Sequence, residues 1–342
     1  MRMDAIYLLI VFSGYLLALA LLPARAKRAG VPVRTALLFG AAALPLGVIF
    51  ARGCYWLCSL DLLKQSDRSF WDFLDGGYML YGAALGGIAA GLLVCRGTGT
   101  SLARLADAAA VSAALMIAVC RFAEYRTGMG FGVGVYEWFD PEAEWSMIAW
   151  EEPELLCRFP FAVQNYYGSW RFAINLWEGL AAGILLIVLL RMKKRQAGGE
   201  ATLLLFLYAV CQIVLESMRR DEVVRWSFVR VSQLLSALIV LGVLIFCWSR
   251  QPAELRKGKE LAGRTAGLIL LAGIMMLMEF VLDQKIGFLL WIRADLSYLI
   301  DAACCAGMIA LVIPLWRKAF PEEAGEKGRC GDAGQRADKG RG

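Results

Sequence analysis

Long apolar runs, each interrupted by a short polar or charged stretch, set the pattern of this chain. The runs stand near residues 5–22, 35–60, 76–95, 105–121, 172–190, 202–218, 229–248, 264–282 and 296–316. A helix needs roughly 17 to 25 such residues to cross a bilayer. Alanine, glycine and leucine dominate the runs, which suits helices; barrel strands would appear as short alternating segments. The pattern predicts an all-α, polytopic helical integral membrane protein with about nine transmembrane helices.

Polar positions inside the runs carry the next layer of information. Residues 75–91 read D-G-G-Y-M-L-Y-G-A-A-L-G-G-I-A-A-G. Gly82 and Gly86, then Gly87 and Gly91, stand four apart, the spacing that lets two membrane helices approach closely. Asp75 and two tyrosines at the mouth of the same run suggest a site as well as a packing surface. The second run carries Arg52, the fourth ends at Arg121, and the fifth holds Glu178 about two turns in. The sixth spaces Tyr208, Gln212, Glu216 and Arg219 four, four and three apart, which predicts one polar helix face. Ionisable groups within spans are expensive, so they usually face a cavity or a partner.

Charge orients the bundle. Basic clusters follow the first, third, fifth, seventh and ninth runs, for example Arg25, Lys27 and Arg28, or Arg191, Lys193, Lys194 and Arg195. The positive-inside rule makes those loops cytoplasmic, with the N-terminus outside and the C-terminus cytoplasmic. Ala24 and Ala26 after the first run imitate a signal-peptide cleavage site, but the basic cluster just downstream favours a retained helix. The composition is 59% apolar and 19% charged, with net charge +6. The cations are dispersed between spans and form no single patch, so nucleic acid is not an expected partner. An outer loop over about 122–171 carries Glu137, Asp140, Glu142, Glu144, Glu151, Glu152 and Glu154; it is expected to be largely a solvated acidic loop, with substrate docking as the sharper option. No internal repeat points to a transporter.

In this orientation Arg52, Tyr81, Arg121, Glu178, Glu216 and Arg219 all fall in the outer half of the membrane. Carboxylates among arginines at headgroup depth suit an anionic lipid, because guanidinium pairs bidentately with phosphate. There are ten cysteines and no histidine. No metal or other cofactor is expected, and a general base must be a carboxylate, tyrosinate, lysine or cysteine.

Several stretches in order resemble the prolipoprotein diacylglyceryl transferases. G-V-I-F-A-R-G-C-Y-W-L and W-D-F-L-D-G-G-Y-M-L-Y-G-A-A-L-G-G are similar to that family's G-A-R-x-x-Y and W-x-G-G-x-x-x-H-G-G-x-I-G-G. Arg121 to Gly132 resembles its G-R-x-G-N-F-x-N-G-E-x-x-G, and L-W-E-G its L-Y-E-S. Tyr208 to Arg219 is similar to Y-x-x-x-R-F-x-x-E-x-x-R, and V-S-Q-L-L-S to M-G-Q-x-L-S. The resemblance covers residues 1–248, a seven-helix core; residues 249–320 would add two helices and 321–342 a disordered cytoplasmic tail. It implies a multi-pass enzyme of the bacterial plasma membrane that moves the diacylglyceryl group of phosphatidylglycerol onto the lipobox cysteine thiol of an exported prolipoprotein, engaged through its signal peptide. Arg121, Glu124, Glu216 and Tyr81 become candidate catalytic residues. Arg52, Gly82, Gly132, Glu178, Tyr208, Gln212 and Arg219 become candidate substrate contacts. Tyr81 stands where the family has histidine, Glu124 where it has asparagine, Met129 where it has glutamate, and Gln212 where it has arginine. These departures keep a second reading open, a degenerate paralogue that binds phospholipid or lipoprotein precursor without turnover.

Overall fold

The computed structural model describes residues 4–60, 69–135, 156–164, 168–219, 225–226, 229–256, 258–282 and 292–323. The acidic positions from Glu137 to Glu154 and the tail from 324 onward lie outside the described residues. Among the described residues, nine helices are long and apolar enough to cross a membrane. They are α1 (Ala5–Ala29), α2 (Val33–Cys58), α3 (Leu80–Thr98), α4 (Leu102–Glu124), α5 (Ile174–Arg191), α6 (Gly199–Met218), α7 (Val231–Ser249), α8 (Gly258–Leu282) and α9 (Ala294–Ala319). Leu9, Phe12, Leu85, Ile88, Leu180, Ile184, Leu270 and Leu299 are exposed. Large apolar side chains on outward faces suit hydrocarbon rather than water.

Local chemistry sets the helix ends. Asp4 caps α1 by accepting the Tyr7 backbone N–H at 2.6 Å, a bond that holds its carboxyl below the usual range. At the other end Gly30 takes the left-handed conformation. The third span starts at Leu80, not at residue 76, because Gly76 and Gly77 adopt positive φ (51° and 75°) and interrupt the helix.

Small residues bring α2 and α3 together. A Cβ at Gly82 would lie 2.6 Å from the Phe50 carbonyl oxygen, and one at Gly86 2.4 Å from that of Leu46. The four-residue glycine spacing therefore serves packing at this pair. The two helices beyond residue 248 pack onto α6 and α7 through an apolar cluster that includes Phe206, Leu244, Leu268, Met308 and Leu315. Trp316 Nε1 ties α9 to the start of α6, donating to the Gly199 carbonyl at 3.0 Å.

The end of the bundle near the start of α1 carries a small extended layer. Strands β1 (Ala162–Gln164) and β2 (Trp170–Phe172) pair antiparallel. The chain after α4 lies beside them: Gly132 N donates to Phe172 O at 2.8 Å, and Phe172 N to Val133 O at 3.1 Å. Gly132 also bridges antiparallel to Arg219, so this layer fixes the backbone just past α6. A second hairpin, β3 (Arg225–Trp226) with β4 (Val229–Arg230), leads into α7.

Candidate active site

Four charged side chains from α4, α5 and the end of α6 form a closed ring. The last turn of α4 supplies Arg121 and Glu124, three residues apart and 2.8 Å from Nη1 to Oε1. The second turn of α5 supplies Glu178, which is fully buried. Its Oε2 meets Arg121 Nε at 3.0 Å and Arg219 Nη1 at 3.0 Å. Arg219 Nη2 closes the ring at 3.5 Å from Glu124 Oε2. Arg121, Glu178 and Arg219 are thereby buried and Glu124 is partly exposed, each arginine shared between two carboxylates. Removing any member would leave an uncompensated buried charge.

The polar stripe on α6 joins this ring through one residue. Gln212 donates from Nε2 to Glu178 Oε1 at 3.0 Å and to the Tyr208 hydroxyl at 2.9 Å. Tyr208 in turn faces the Arg121 guanidinium. The prediction of one face for all four residues fails at Arg219. The helix stops at Met218, and Arg219 has extended backbone (φ −70°, ψ 141°) because it pairs with Gly132. It still reaches Glu178, by leaving the helix rather than by following it. Arg230 holds this break with hydrogen bonds from Nη1 to the carbonyls of Glu216 and Arg219.

Glu216 differs from the other two carboxylates. It is buried, yet among the described residues its carboxylate forms no hydrogen bond or ion pair. It lies within electrostatic reach of Arg219, Glu178, Arg121 and Arg230. Tyr81, on the first turn of α3, hydrogen-bonds the Ser236 hydroxyl of α7 and lies near the charges of Glu216, Arg121 and Glu178.

Other expected site residues fall elsewhere. Arg52 does not join the ring: its guanidinium donates to the backbone carbonyls of Ser69, Phe70 and Gly76. It also faces the rings of Trp56, Phe73 and Tyr78, at 5.5 to 6.0 Å from their centroids. Burial pushes the Tyr78 phenol up, against the opposing pull of Arg52. Gly82 packs on α2. Gly132 acts through Arg219, since a Cβ there would lie 2.7 Å from Ile174 Cγ1 and 3.0 Å from the Met218 carbonyl.

Several residues at the site went unselected in the sequence. Asn175 is fully buried beside the ring, with neither amide atom hydrogen-bonded. Its position three residues before Glu178, on the same face, was the available signal. Gly130 has φ +76°, and a Cβ on it would lie 2.7 Å from Asn175 Cβ, 3.0 Å from Glu124 Oε2 and 3.2 Å from Arg219 Nη2. Only glycine leaves that space open. Ser236 and Arg230 owe their roles to contacts between distant segments, which no local spacing announces.

Residues 5–249 match the family model described as prolipoprotein diacylglyceryl transferase. Among similar proteins, those named phosphatidylglycerol-prolipoprotein diacylglyceryl transferase from Bacillus cereus (strain B4264) and Bacillus cereus (strain Q1) are each 25% identical over 252 residues, covering 73% of this chain and 90% of theirs. The protein of that name from Bacillus anthracis (strain A0248) is 24% identical over the same length.

Proposed function

Because this chain belongs to the prolipoprotein diacylglyceryl transferase family, we propose that it transfers the diacylglyceryl group of phosphatidylglycerol to the lipobox cysteine thiol of exported prolipoproteins. The observation that carries this reading is the pair of buried guanidinium groups, Arg121 and Arg219, both held on Glu178. Together they offer the donors that a phosphodiester, and then a departing phosphate, requires.

In the proposed reaction a carboxylate takes the thiol proton, and the thiolate sulfur attacks the glyceryl carbon that bears the phosphate. The new carbon–sulfur bond forms as the carbon–oxygen bond breaks. Glycerol phosphate leaves with the electron pair of that bond and receives the proton. Glu216 is proposed as the base because it is buried within electrostatic reach of both ring arginines and, among the described residues, no hydrogen bond or ion pair engages its carboxylate; Glu124, whose Oε2 has no hydrogen-bond partner, is the competing candidate. Glu124 is engaged by both arginines and fits a positioning role, keeping their forks aligned. Tyr208 and Gln212 brace the ring from α6. Tyr81 replaces the family histidine and is proposed to orient the lipid through its hydroxyl. The unpartnered amide of Asn175 is suited to the hydroxyls of the glycerol headgroup.

The basic clusters support an N-terminus outside and a cytoplasmic C-terminus in a bacterial plasma membrane, and with that orientation a ring at the depth of the outer leaflet. Residues 1–248 form the proposed transferase core, 249–320 a helix pair added to it, and 321–342 a cytoplasmic tail. The test is complementation of a bacterium depleted of its own diacylglyceryl transferase. Growth with lipidated prolipoprotein is expected. A membrane-inserted protein that retains phosphatidylglycerol yet lipidates nothing would overturn the transferase reading.

A further inference from the structure

The inner end of the bundle carries a second collection of buried charge, remote from the ring. Asp4, at the start of α1, pairs with Arg126 just past α4, at 3.2 Å. The start of α1 therefore lies at the end of the bundle that holds the ring. Arg25 sits about 31 Å further along the same helix, at ~1.5 Å per residue. There a cavity of about 240 Å³ is lined by Arg25 and Arg28 of α1, Arg104 of α4, and Lys194 and Arg195 between α5 and α6.

Three carboxylates line the same cavity, Asp107, Glu200 and Glu323, and each is already engaged. Asp107 accepts the backbone N–H groups of Gly198 at 2.6 Å and Ala201 at 2.9 Å, and so caps α6. Glu200 pairs with Arg25 and Arg28, and Glu323 with Lys194 at 2.7 Å. With Arg195 also paired to Glu322 at 3.2 Å, five cations face four anions, which leaves one positive charge in excess around a partly open cavity. Donors are also left over. Arg25, only 8% exposed, has a buried Nε without an acceptor, and so does Arg195. Arg104 stands exposed at the rim and forms no hydrogen bond or ion pair among the described residues.

Buried N–H groups without acceptors are uncommon in folded proteins, and here two of them belong to residues that line one basic cavity. The ligand that fits is anionic and offers acceptors in several directions, because the donors arrive from three separate segments. A planar carboxylate serves one guanidinium fork, whereas a tetrahedral phosphate presents oxygens to several at once. We propose that this cavity is a phosphate-binding site at the inner end of the bundle, separate from the transfer site and independent of its assignment. The phosphate can belong to an anionic lipid headgroup of the adjoining leaflet or to a free phosphate in solution.

The test compares the full-length protein with Arg104→Gln/Lys194→Gln, two rim substitutions that leave the buried Arg25–Glu200 pair intact. Both are placed in phosphatidylcholine nanodiscs, with either inorganic phosphate or added phosphatidylglycerol as the probe. Thermal unfolding and native mass spectrometry of retained lipid are the readouts. The outer site is common to both proteins, so any difference between them reports on the cavity. Affinity for at least one probe should fall about tenfold in the double variant, with a steeper dependence on salt in the wild type. An effect with phosphate alone identifies a free anion, and one confined to the lipid identifies a headgroup; either supports the site. Equal responses of the two proteins to both probes would overturn it. If the double variant unfolds at a lower temperature before any probe is added, Arg104→Gln, whose side chain has no partner to lose, provides the same comparison.

Discussion

The C-terminal part of α2 and the C-terminal end of α4 each bury a guanidinium, and they satisfy it in opposite ways. Arg52 gives its donors to backbone carbonyls of residues 69, 70 and 76 and stacks among three aromatic rings. Its partners are neutral, and none can be exchanged without moving the chain. Arg121 gives its donors to Glu124 and Glu178, side chains that can rotate and that carry the opposite charge. The first arrangement clamps a loop, and the second can trade one anion for another. Burial of an arginine is thus a poor guide to its role until its acceptors are known.

Four tests sharpen or break that contrast. The largest effect is expected from Glu178→Ala, which strips both ring arginines of their shared acceptor. Removing one partner from a buried pair costs about 3–5 kcal/mol, so denaturation in detergent should shift by that amount and transfer should be lost. A negligible shift would mean that the arginines do not depend on Glu178. Next come Arg121→Ala and Arg219→Ala. Losing a charge-assisted bond of about 1.5–3 kcal/mol should lower phospholipid affinity roughly tenfold or more, with only partial rescue by lysine. Unchanged affinity in both would remove them from the site.

Arg52→Ala should behave differently. Amide exchange over residues 69–78 should accelerate by about tenfold as the clamp is lost, while phospholipid affinity stays within about twofold. A loss of affinity matching that of Arg219→Ala would merge the two regions into one site. The smallest effect is expected from Tyr81→Phe, measured as transfer rate beside Glu124→Gln and Glu216→Gln. If the phenylalanine variant is inactive while both glutamine variants turn over, the phenol is the base and Glu216 is not.

The helices were legible because a bilayer imposes its own length on every apolar run, and among the described residues all nine runs became helices long and apolar enough to cross one. Glu124 was legible too, since three residues on a helix put it beside Arg121. The same rule misled at Arg219. Its partner there is Gly132, from a segment far away in sequence, and that pairing ends the helix one residue early. Arg52 was expected to face a cavity or a partner and to contact substrate, but its acceptors are carbonyls, which every residue carries and no sequence pattern marks. Asn175 was overlooked because a single amide beside a carboxylate looks like ordinary span polarity.

The ring of Arg121, Glu124, Arg219 and Glu178 is complete without any ligand, and that has a kinetic meaning. On the proposed reading Glu124 and Glu178 are resident placeholders, keeping both guanidinium forks aimed where a visiting anion would sit. An arriving phosphate must evict an occupant rather than fill a void. Its net gain is then the small difference between two strong sets of bonds. On that reading the seat exchanges anions without holding any one tightly, which is what repeated turnover asks of a site that must release one phosphate before accepting the next.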